Sequence, residues 1–270
     1  MIMKDIGKNV VVNLISTLIV YISSFCVLWS QSANLSRTRL IIIAIGILVV
    51  GVILYFCLTQ IQKARYSKKL RSVLGKEISH EKLDKDFSKI PKISIVGLAG
   101  GGKTTLIDHI CRKKDKGIET EKDGAYIFNF SNNEEKYAAM LDTRGQNHSM
   151  QKDIALKSKV LIIVLDHNIS TTEINIDEIN DRLGRQKSFL ASLNERLIRN
   201  KYEPKWIHVL LNKEDLWIQS KEKFEVENFL NEEVEILKTK FPHARITSAY
   251  HTNTLVAKIT EILHTIEANI

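Results

Sequence analysis

The sequence has 270 residues, of which 44% are hydrophobic and 26% charged, and a formal net charge of +8 at pH 7. This composition is ordinary for a globular protein, and the length allows one large domain or one medium domain with additions. Basic residues between 63 and 76 supply part of the charge. No basic patch interleaved with aromatic side chains accompanies them, so we expect no nucleic-acid partner. The three cysteines have no disulfide spacing, which indicates a reduced cytosolic domain.

Two apolar stretches lie near the N-terminus. Residues 10–29 contain no charged residue, and residues 40–58 contain neither a charged nor a strongly polar one. Because a bilayer core takes roughly 20 helical residues, we predict two membrane spans that form a helical hairpin within residues 1–62. Two alternatives stay open. Residues 10–29 could be a cleaved signal peptide, although signal cores have only roughly 7–15 apolar residues, and either stretch could be a buried core helix.

Basic residues after the second stretch predict the orientation of the hairpin. They are Lys63, Arg65, Lys68, Lys69, Arg71 and Lys76. Basic residues concentrate on the cytoplasmic side of a span, so we expect both the N-terminus and the C-terminal part in the cytoplasm. Arg37 and Arg39 in the connecting loop weaken this asymmetry. The cluster either binds anionic lipid headgroups or is a plain topology signal. Residues 63–90 are interpreted as a basic juxtamembrane linker.

Residues 91–270 are predicted to form a compact domain in which strands alternate with helices. Predicted strands cover 92–96, 125–130, 137–141, 160–165, 206–211 and 245–247, and predicted helices cover 104–114, 174–200, 224–239 and 254–268. This alternation is typical of an α/β fold with a doubly wound, mostly parallel sheet, here of six strands. Such sheets bind ligands at the carboxyl ends of their strands.

A phosphate-binding loop follows the first of these strands. Its glycines allow several backbone N–H groups to point at one phosphate chain, and the following helix adds a partial positive charge. Lys103 is suited to neutralise the β- and γ-phosphates, the Thr104 hydroxyl to bind Mg²⁺, and Thr105 to contact the α-phosphate. The predicted nucleotide-binding residues of this loop are Gly97, Ala99, Gly100, Gly101, Gly102, Lys103, Thr104 and Thr105.

Two further motifs follow at the ends of later strands. Asp142 is suited to hold Mg²⁺ directly or through water, and the N–H of Gly145 to approach a γ-phosphate. In Asn212-Lys213-Glu214-Asp215, the Asp215 carboxylate can accept two hydrogen bonds from guanine, a donor pair that adenine lacks. Lys213 can cover the base and Asn212 can tie this loop to the phosphate loop. Ser248 and Ala249 are weaker candidates for contacting the base.

In this order, the motifs resemble those of the Ras-like small GTPases, a branch of the P-loop GTPases. The form of Gly97–Leu106 is similar to Arf-like proteins and to the signal recognition particle receptor beta subunit. The resemblance covers residues 92–270 and implies a P-loop GTPase fold. It implies that Gln146 positions the attacking water. It also implies a switch threonine on Mg²⁺, for which Thr120 lies in the right window.

Three departures from the family pattern concern the site. Tyr250 stands where lysine is usual after Ser-Ala, and Ala99 stands where glycine is frequent. Arg144 is either an arginine finger supplied within the chain or a solvent-facing residue.

The resemblance implies a GTPase that binds GTP or GDP with Mg²⁺ and hydrolyses GTP, with Gln146 and Lys103 as catalytic residues. The two apolar stretches, which the resemblance does not cover, indicate that this GTPase is anchored in a membrane. It would act as a switch that recruits a protein partner in the GTP state. The rival interpretation is a constitutive receptor or scaffold subunit that holds GTP and turns it over negligibly. A dynamin-like remodeller is disfavoured because no long stalk helices follow.

Overall fold

A computed structural model describes residues 37–111, 124–130, 133–143, 147–167 and 176–270, together with Ser24 and Val27. The chain divides into two compact units, residues 1–72 and residues 73–270. The first predicted span, residues 10–29, lies outside the described residues except for Ser24 and Val27, which are helical.

Helix α1 (Arg37–Arg71) contains the second predicted span and continues through much of the basic cluster. Among the described residues, one helix is long and apolar enough to cross a membrane, Ala44–Arg71, and it contains an 18-residue window with a mean hydropathy of 2.4 and no buried residue. Apolar side chains such as Ile45, Leu48 and Phe56 are all more than half exposed. A helix that is apolar on every side is suited to a hydrophobic environment. The two-span hairpin therefore remains a prediction.

The second unit is built on a seven-stranded sheet, one strand more than the sequence predicts. The strands are β1 (Glu77–Ile78), β2 (Lys92–Val96), β3 (Gly124–Phe130), β4 (Asn133–Asp142), β5 (Val160–Leu165), β6 (Trp206–Leu211) and β7 (Arg245–Tyr250). Their order in the sheet is β1-β3-β4-β2-β5-β6-β7. Strands β4, β2, β5, β6 and β7 are parallel, whereas β3 runs antiparallel to both β4 and β1.

Helices cover both faces of this sheet, as a doubly wound fold requires. They are α2 (His80–Asp86), α3 (Lys103–Cys111), α4 (His148–Ala155), α5 (Ile176–Arg199), α6 (Glu214–Trp217), α7 (Lys223–Lys240) and α8 (Val256–Asn269). Helices α3 and α8 pack against each other, and on the other side α5 contacts both α4 and α7. Strands β5 and β6 are buried along their whole length, because residues on both of their faces meet helices.

The segment before Pro91 belongs to the compact unit, although the sequence predicts a linker up to residue 90. Glu77 and Ile78 pair with Tyr126 and Ala125 as strand β1. Helix α2 begins after Ser79, whose hydroxyl accepts a hydrogen bond from the Lys82 N–H and so caps the helix. A two-residue strand carries too little alternation to be recognised from its sequence.

Candidate functional site

The carboxyl ends of the five parallel strands bring the sequence motifs to one edge of the sheet. The chain crosses from β4, on one side of β2, to β5, on the other side. The phosphate loop follows β2 and therefore lies at the point where the strand order reverses, which is where open α/β sheets bind ligands. Asp142 ends β4, and Asn212 directly follows β6.

The phosphate loop has a backbone that only glycine fits at two positions. Gly97 has a φ of 152°, and a side chain there would overlap the Val164 carbonyl oxygen. Gly102 has a φ of 87°, and a side chain there would lie 2.7 Å from the Asn253 Nδ2 atom. At these two positions the loop is packed against its neighbours with no room for a Cβ atom.

The ammonium group of Lys103 contacts the backbone of the phosphate loop that precedes it. Its Nζ atom donates to the carbonyl oxygens of Gly97 at 2.9 Å and Leu98 at 2.8 Å, and its side chain is only 5% exposed. A buried ammonium group held by dipoles in this way is a fixed positive charge beside the loop. Such a charge is suited to an anionic ligand, as the sequence predicts for this residue.

Side chains from three distant elements brace the loop backbone. Asn212 Nδ2 donates to the Gly101 oxygen at 2.8 Å, and Asn253 Nδ2 donates to the Gly102 oxygen at 3.0 Å. On the other side, the Gly97 N–H donates to Gln151 Oε1 of α4 at 2.7 Å. The predicted link between Asn212 and the loop is present. Gln151 and Asn253 were not foreseen, because neither belongs to a recognisable motif.

A buried acidic residue, Asp166, organises the centre of the site. It follows β5 and is fully buried, and its carboxylate accepts from Arg182 through Nε at 3.0 Å and through Nη2 at 2.7 Å. The same Nη2 donates to the Ala99 oxygen at 2.7 Å, and Lys213 Nζ lies 3.3 Å from Asp166 Oδ2. Arg182 thereby connects the phosphate loop with the Asn-Lys-x-Asp motif. Asp166 could have been found from sequence, since it is a carboxylate at the carboxyl end of a buried strand.

The Asn-Lys-x-Asp loop has an unusual backbone and an exposed acidic tip. Lys213 adopts a left-handed conformation with a φ of 61° and is buried, and this burial lowers its pKa while Asp166 opposes the shift. The next residue, Glu214, donates its N–H to the His251 oxygen at 3.0 Å, which joins this loop to the one after β7. Asp215 is exposed in the first turn of α6. A carboxylate in that position is accessible to a ligand.

His167 lies beside this loop and was not recognised as a site residue. It is fully buried, and neither of its ring nitrogens has a hydrogen-bond partner among the described residues. Burial, followed by the charge of Lys213, lowers the pKa of His167 to about 4. The imidazole is therefore neutral at pH 7 and adds no charge to the site.

Asp142 and Thr104 are the described residues predicted to bind metal. Asp142 is fully buried at the end of β4, and Thr104 lies in the first turn of α3. Within the described residues, no group of three or more His, Cys, Asp or Glu side chains is placed to hold a metal ion. One carboxylate and one hydroxyl suit Mg²⁺, which usually keeps several waters and takes its other ligands from phosphates.

Several predicted site residues lie outside the described residues: Gly145, Gln146, Thr120 and Arg144. Ser248 and Ala249 lie within β7, opposite Val209 and Leu210 of β6, and not in the loop that follows. The residue level with Asn212 is His251, because Leu211 pairs with Tyr250. From this loop, it is Asn253 that contacts the phosphate loop.

No protein-family model matches the sequence, and a search of curated proteins finds no match. The structure is similar to solved structures. One is the mammalian SRP receptor, with a TM-score of 0.49 and 15% identity over 66% of this chain and 100% of that chain. Another is SsGBP in complex with GDP, with a TM-score of 0.44 and 20% identity over 66% of this chain and 49% of that chain. A third is the G domain of the T. maritima FeoB iron transporter, with a TM-score of 0.39 and 15% identity over 67% of this chain and 98% of that chain. The match spans about half to three fifths of the SsGBP chains.

Proposed function

We propose that this chain is a membrane-anchored GTP-binding protein that hydrolyses GTP to GDP and acts as a nucleotide-dependent switch. In the GTP state it would recruit a protein partner to the membrane. The observation that carries the proposal is the meeting of three motifs at one sheet edge. The buried Lys103 lies in the glycine loop, and Asn212 of the Asn-Lys-x-Asp motif donates to that same loop. Asp142 ends the strand beside it.

Each residue has a role in this proposal. The loop N–H groups and Lys103 hold the phosphates, and Asp215 selects guanine by accepting its N1–H and its exocyclic amine. Asp142 and Thr104 would hold Mg²⁺, which when bound neutralises phosphate charge. Gln146 would orient the attacking water, and Gly145 and Thr120 would respond to the γ-phosphate. Loops that are ordered by a γ-phosphate release when it leaves, which is the physical basis of a switch.

The test uses the purified full chain in a neutral detergent. We expect GTP to bind about a hundredfold more tightly than ATP. In single-turnover experiments, the rate of GTP hydrolysis should exceed the rate in buffer without protein. Gln146→Leu should slow hydrolysis at least about tenfold while GDP affinity stays nearly unchanged, because the residue acts on water. Gln219→Leu, at an exposed position, is the control. Equal affinity for ATP and GTP would contradict the assignment. Hydrolysis at the buffer rate would favour the constitutive GTP-bound subunit.

Membrane anchoring rests on helix α1. Its 35 residues reach about 52 Å at 1.5 Å per residue, which exceeds a hydrocarbon core of about 30 Å and carries the helix into the basic cluster. For two spans with a cytoplasmic N-terminus, Asn34→Cys should react with an impermeant thiol reagent from outside, whereas Lys4→Cys should not. The native cysteines are replaced for this experiment. The reverse labelling would refute the orientation, and equal labelling of both positions would refute the hairpin.

A further inference from the structure

A cleft of about 450 Å³ lies within the second unit, where helices α4 and α5 meet the phosphate loop. This volume is in the range of small-molecule sites. Leu98 and Ala99 of the loop contribute to one wall. The outer face of the phosphate loop is therefore part of a second cavity, beside the edge at which the motifs converge.

The charged side chains of the cleft all have the same sign. Lys152, Arg182 and Arg185 line it, and none of its described lining residues is acidic. Asp166 already compensates the charge of Arg182. Lys152 donates to a neutral group, the Ser192 hydroxyl, at 2.6 Å, and Arg185 forms a solvent-exposed ion pair with Asp181 at 3.2 Å. Exposed pairs of this kind contribute little, so both cations are available to a ligand.

The rest of the lining consists of the apolar residues Leu98, Ala99 and Phe189, the His148 imidazole, and Ser188 and Ser192. Phe189 is 4% exposed and Leu98 is 6% exposed. The His148 ring meets the Phe189 ring edge-on, with centroids 5.4 Å apart. Burial lowers the pKa of His148, and the charges of Lys152 and Lys103 lower it further. Burial and the two lysines all favour the uncharged form of this ring, and its edge-on contact places it beside Phe189 in the cleft.

We propose that this cleft binds a small organic anion, in which a phosphate or carboxylate group is attached to a compact apolar body. Lys152 and Arg185 bind the anionic group, and Phe189 and Leu98 contact the apolar body. A ligand with both parts is favoured over a bare ion or a neutral compound, because the cations attract its anionic group while the apolar side chains contact its apolar body. The cleft shares Ala99 with the predicted nucleotide-binding loop. Lys152 and Arg185, which bind the anionic group, are not among the predicted nucleotide-binding residues, so the proposal does not depend on GTP binding.

The probe is phenyl phosphate, titrated into the full chain in a neutral detergent with saturating GDP and followed by saturation-transfer NMR. We expect saturable binding with a dissociation constant in the millimolar range, as befits so small a ligand. Inorganic phosphate and phenol are the two comparison ligands, and each should bind at least about tenfold more weakly. Repeating the titration without nucleotide separates this outcome from any failure of the proposed function.

The variants Arg185→Gln and Lys152→Gln should each weaken binding about tenfold, and Arg185→Lys should retain most of it. Arg199→Gln is the matched control, since Arg199 also makes an exposed ion pair with the residue four positions earlier on α5. It should bind like the native protein. Absence of saturable binding, native-like binding by both neutralised variants, or inorganic phosphate binding as tightly as phenyl phosphate would each overturn the proposal.

Discussion

The phosphate loop and the Asn-Lys-x-Asp loop share one edge of the sheet but are constructed differently. Buried side chains of α3, α4, α5 and the loop after β6, and the partly buried Asn253 after β7, hold the phosphate loop through its backbone. The other loop is tied down at Asn212 and Lys213, whereas Asp215 is exposed. Under the proposed function, phosphate binding would therefore belong to the folded scaffold. Base selection would depend on a surface side chain that can change without disturbing the core.

The largest effect on nucleotide affinity is expected at Lys103. Its replacement should show the greatest difference between the phosphate loop and the Asn-Lys-x-Asp loop. Lys103→Ala removes the buried ammonium group that donates to the Gly97 and Leu98 carbonyls. We expect a loss of about 4 kcal/mol in binding of GDP and GTP, on the order of removing one member of a buried charge pair. Xanthine nucleotides should lose as much, because the defect lies at the phosphates. Titration with a fluorescent nucleotide measures this, and near-native affinity would contradict the phosphate role.

Asp166→Asn should break the junction between the two loops. The amide leaves Arg182 and Lys213 without their buried carboxylate, so we expect the free energy of unfolding to fall by about 3–5 kcal/mol. Asp153→Asn is the matched control, because Asp153 pairs with Arg196 in a partly exposed setting. It should cost less than about 1 kcal/mol. Urea unfolding of both variants is the measurement, and equal losses would show that Asp166 has no special role.

Asp215→Asn should change base choice and leave phosphate binding intact. The amide can pair with the carbonyl of xanthine where guanine carries its amine. We expect guanine nucleotides to lose about 3 kcal/mol, on the order of one lost and one unpaired hydrogen bond, and xanthine nucleotides to gain affinity. Competition between GDP and xanthosine diphosphate tests this. A variant that weakens both nucleotides equally would place Asp215 outside the base site.

Lowering the pH should reduce the free energy of unfolding, because protonation of the buried His167 imidazole favours the unfolded chain. Its pKa is about 4 in the folded state and about 6.5 when unfolded. The unfolded chain thus binds more protons between these values. The associated stability is fully present above pH 6.5 and is lost as the pH falls toward 4, by about 3 kcal/mol. His208, also with a pKa of about 4 through burial, acts in the same direction.

Because His167 and His208 contribute similarly, His167→Phe should remove about half of the acid-induced loss in the free energy of unfolding. His264→Phe, at an exposed position, should remove none of it. Thermal unfolding between pH 4 and pH 7 measures the difference. An unchanged pH dependence in His167→Phe would show that His167 is accessible to protons in the folded state.

The smallest effect is expected at Asn253. Asn253→Ala removes the bond to the Gly102 carbonyl and should weaken GDP binding about fivefold, the equivalent of about 1 kcal/mol for one neutral hydrogen bond. Asn200→Ala loses a bond of the same kind to the Arg196 carbonyl at the end of α5, and should leave GDP affinity unchanged. If both variants bind GDP like the native protein, the loop does not need this brace.

Sequence patterns were most informative where one physical cause dominated. Strands β5 and β6 match their predicted limits, since each is a continuous apolar run buried on both faces. Asp142 was expected at the end of a strand and Asn212 directly after one, and both lie in these places. Strand β1 and helices α2 and α4 are short, and their periodicity is too brief to detect.

The braces of the site could not be predicted for a different reason. Gln151, Arg182 and Asn253 contact the phosphate loop from 54, 83 and 151 residues along the chain. Nothing local distinguishes them from solvent-facing polar residues. The sheet order brings them together, and a single sequence does not carry that order directly.

These separations have a consequence for biosynthesis. The phosphate loop leaves the ribosome early, but the side chains that hold its Gly101 and Gly102 carbonyls follow 111 and 151 residues later. Long-range contacts form late because the intervening chain must first be ordered. A nascent chain that has not yet reached Asn253 therefore lacks the completed loop. Nucleotide capture would then accompany the last stage of folding, and the ligand would stabilise only chains whose synthesis has passed that residue.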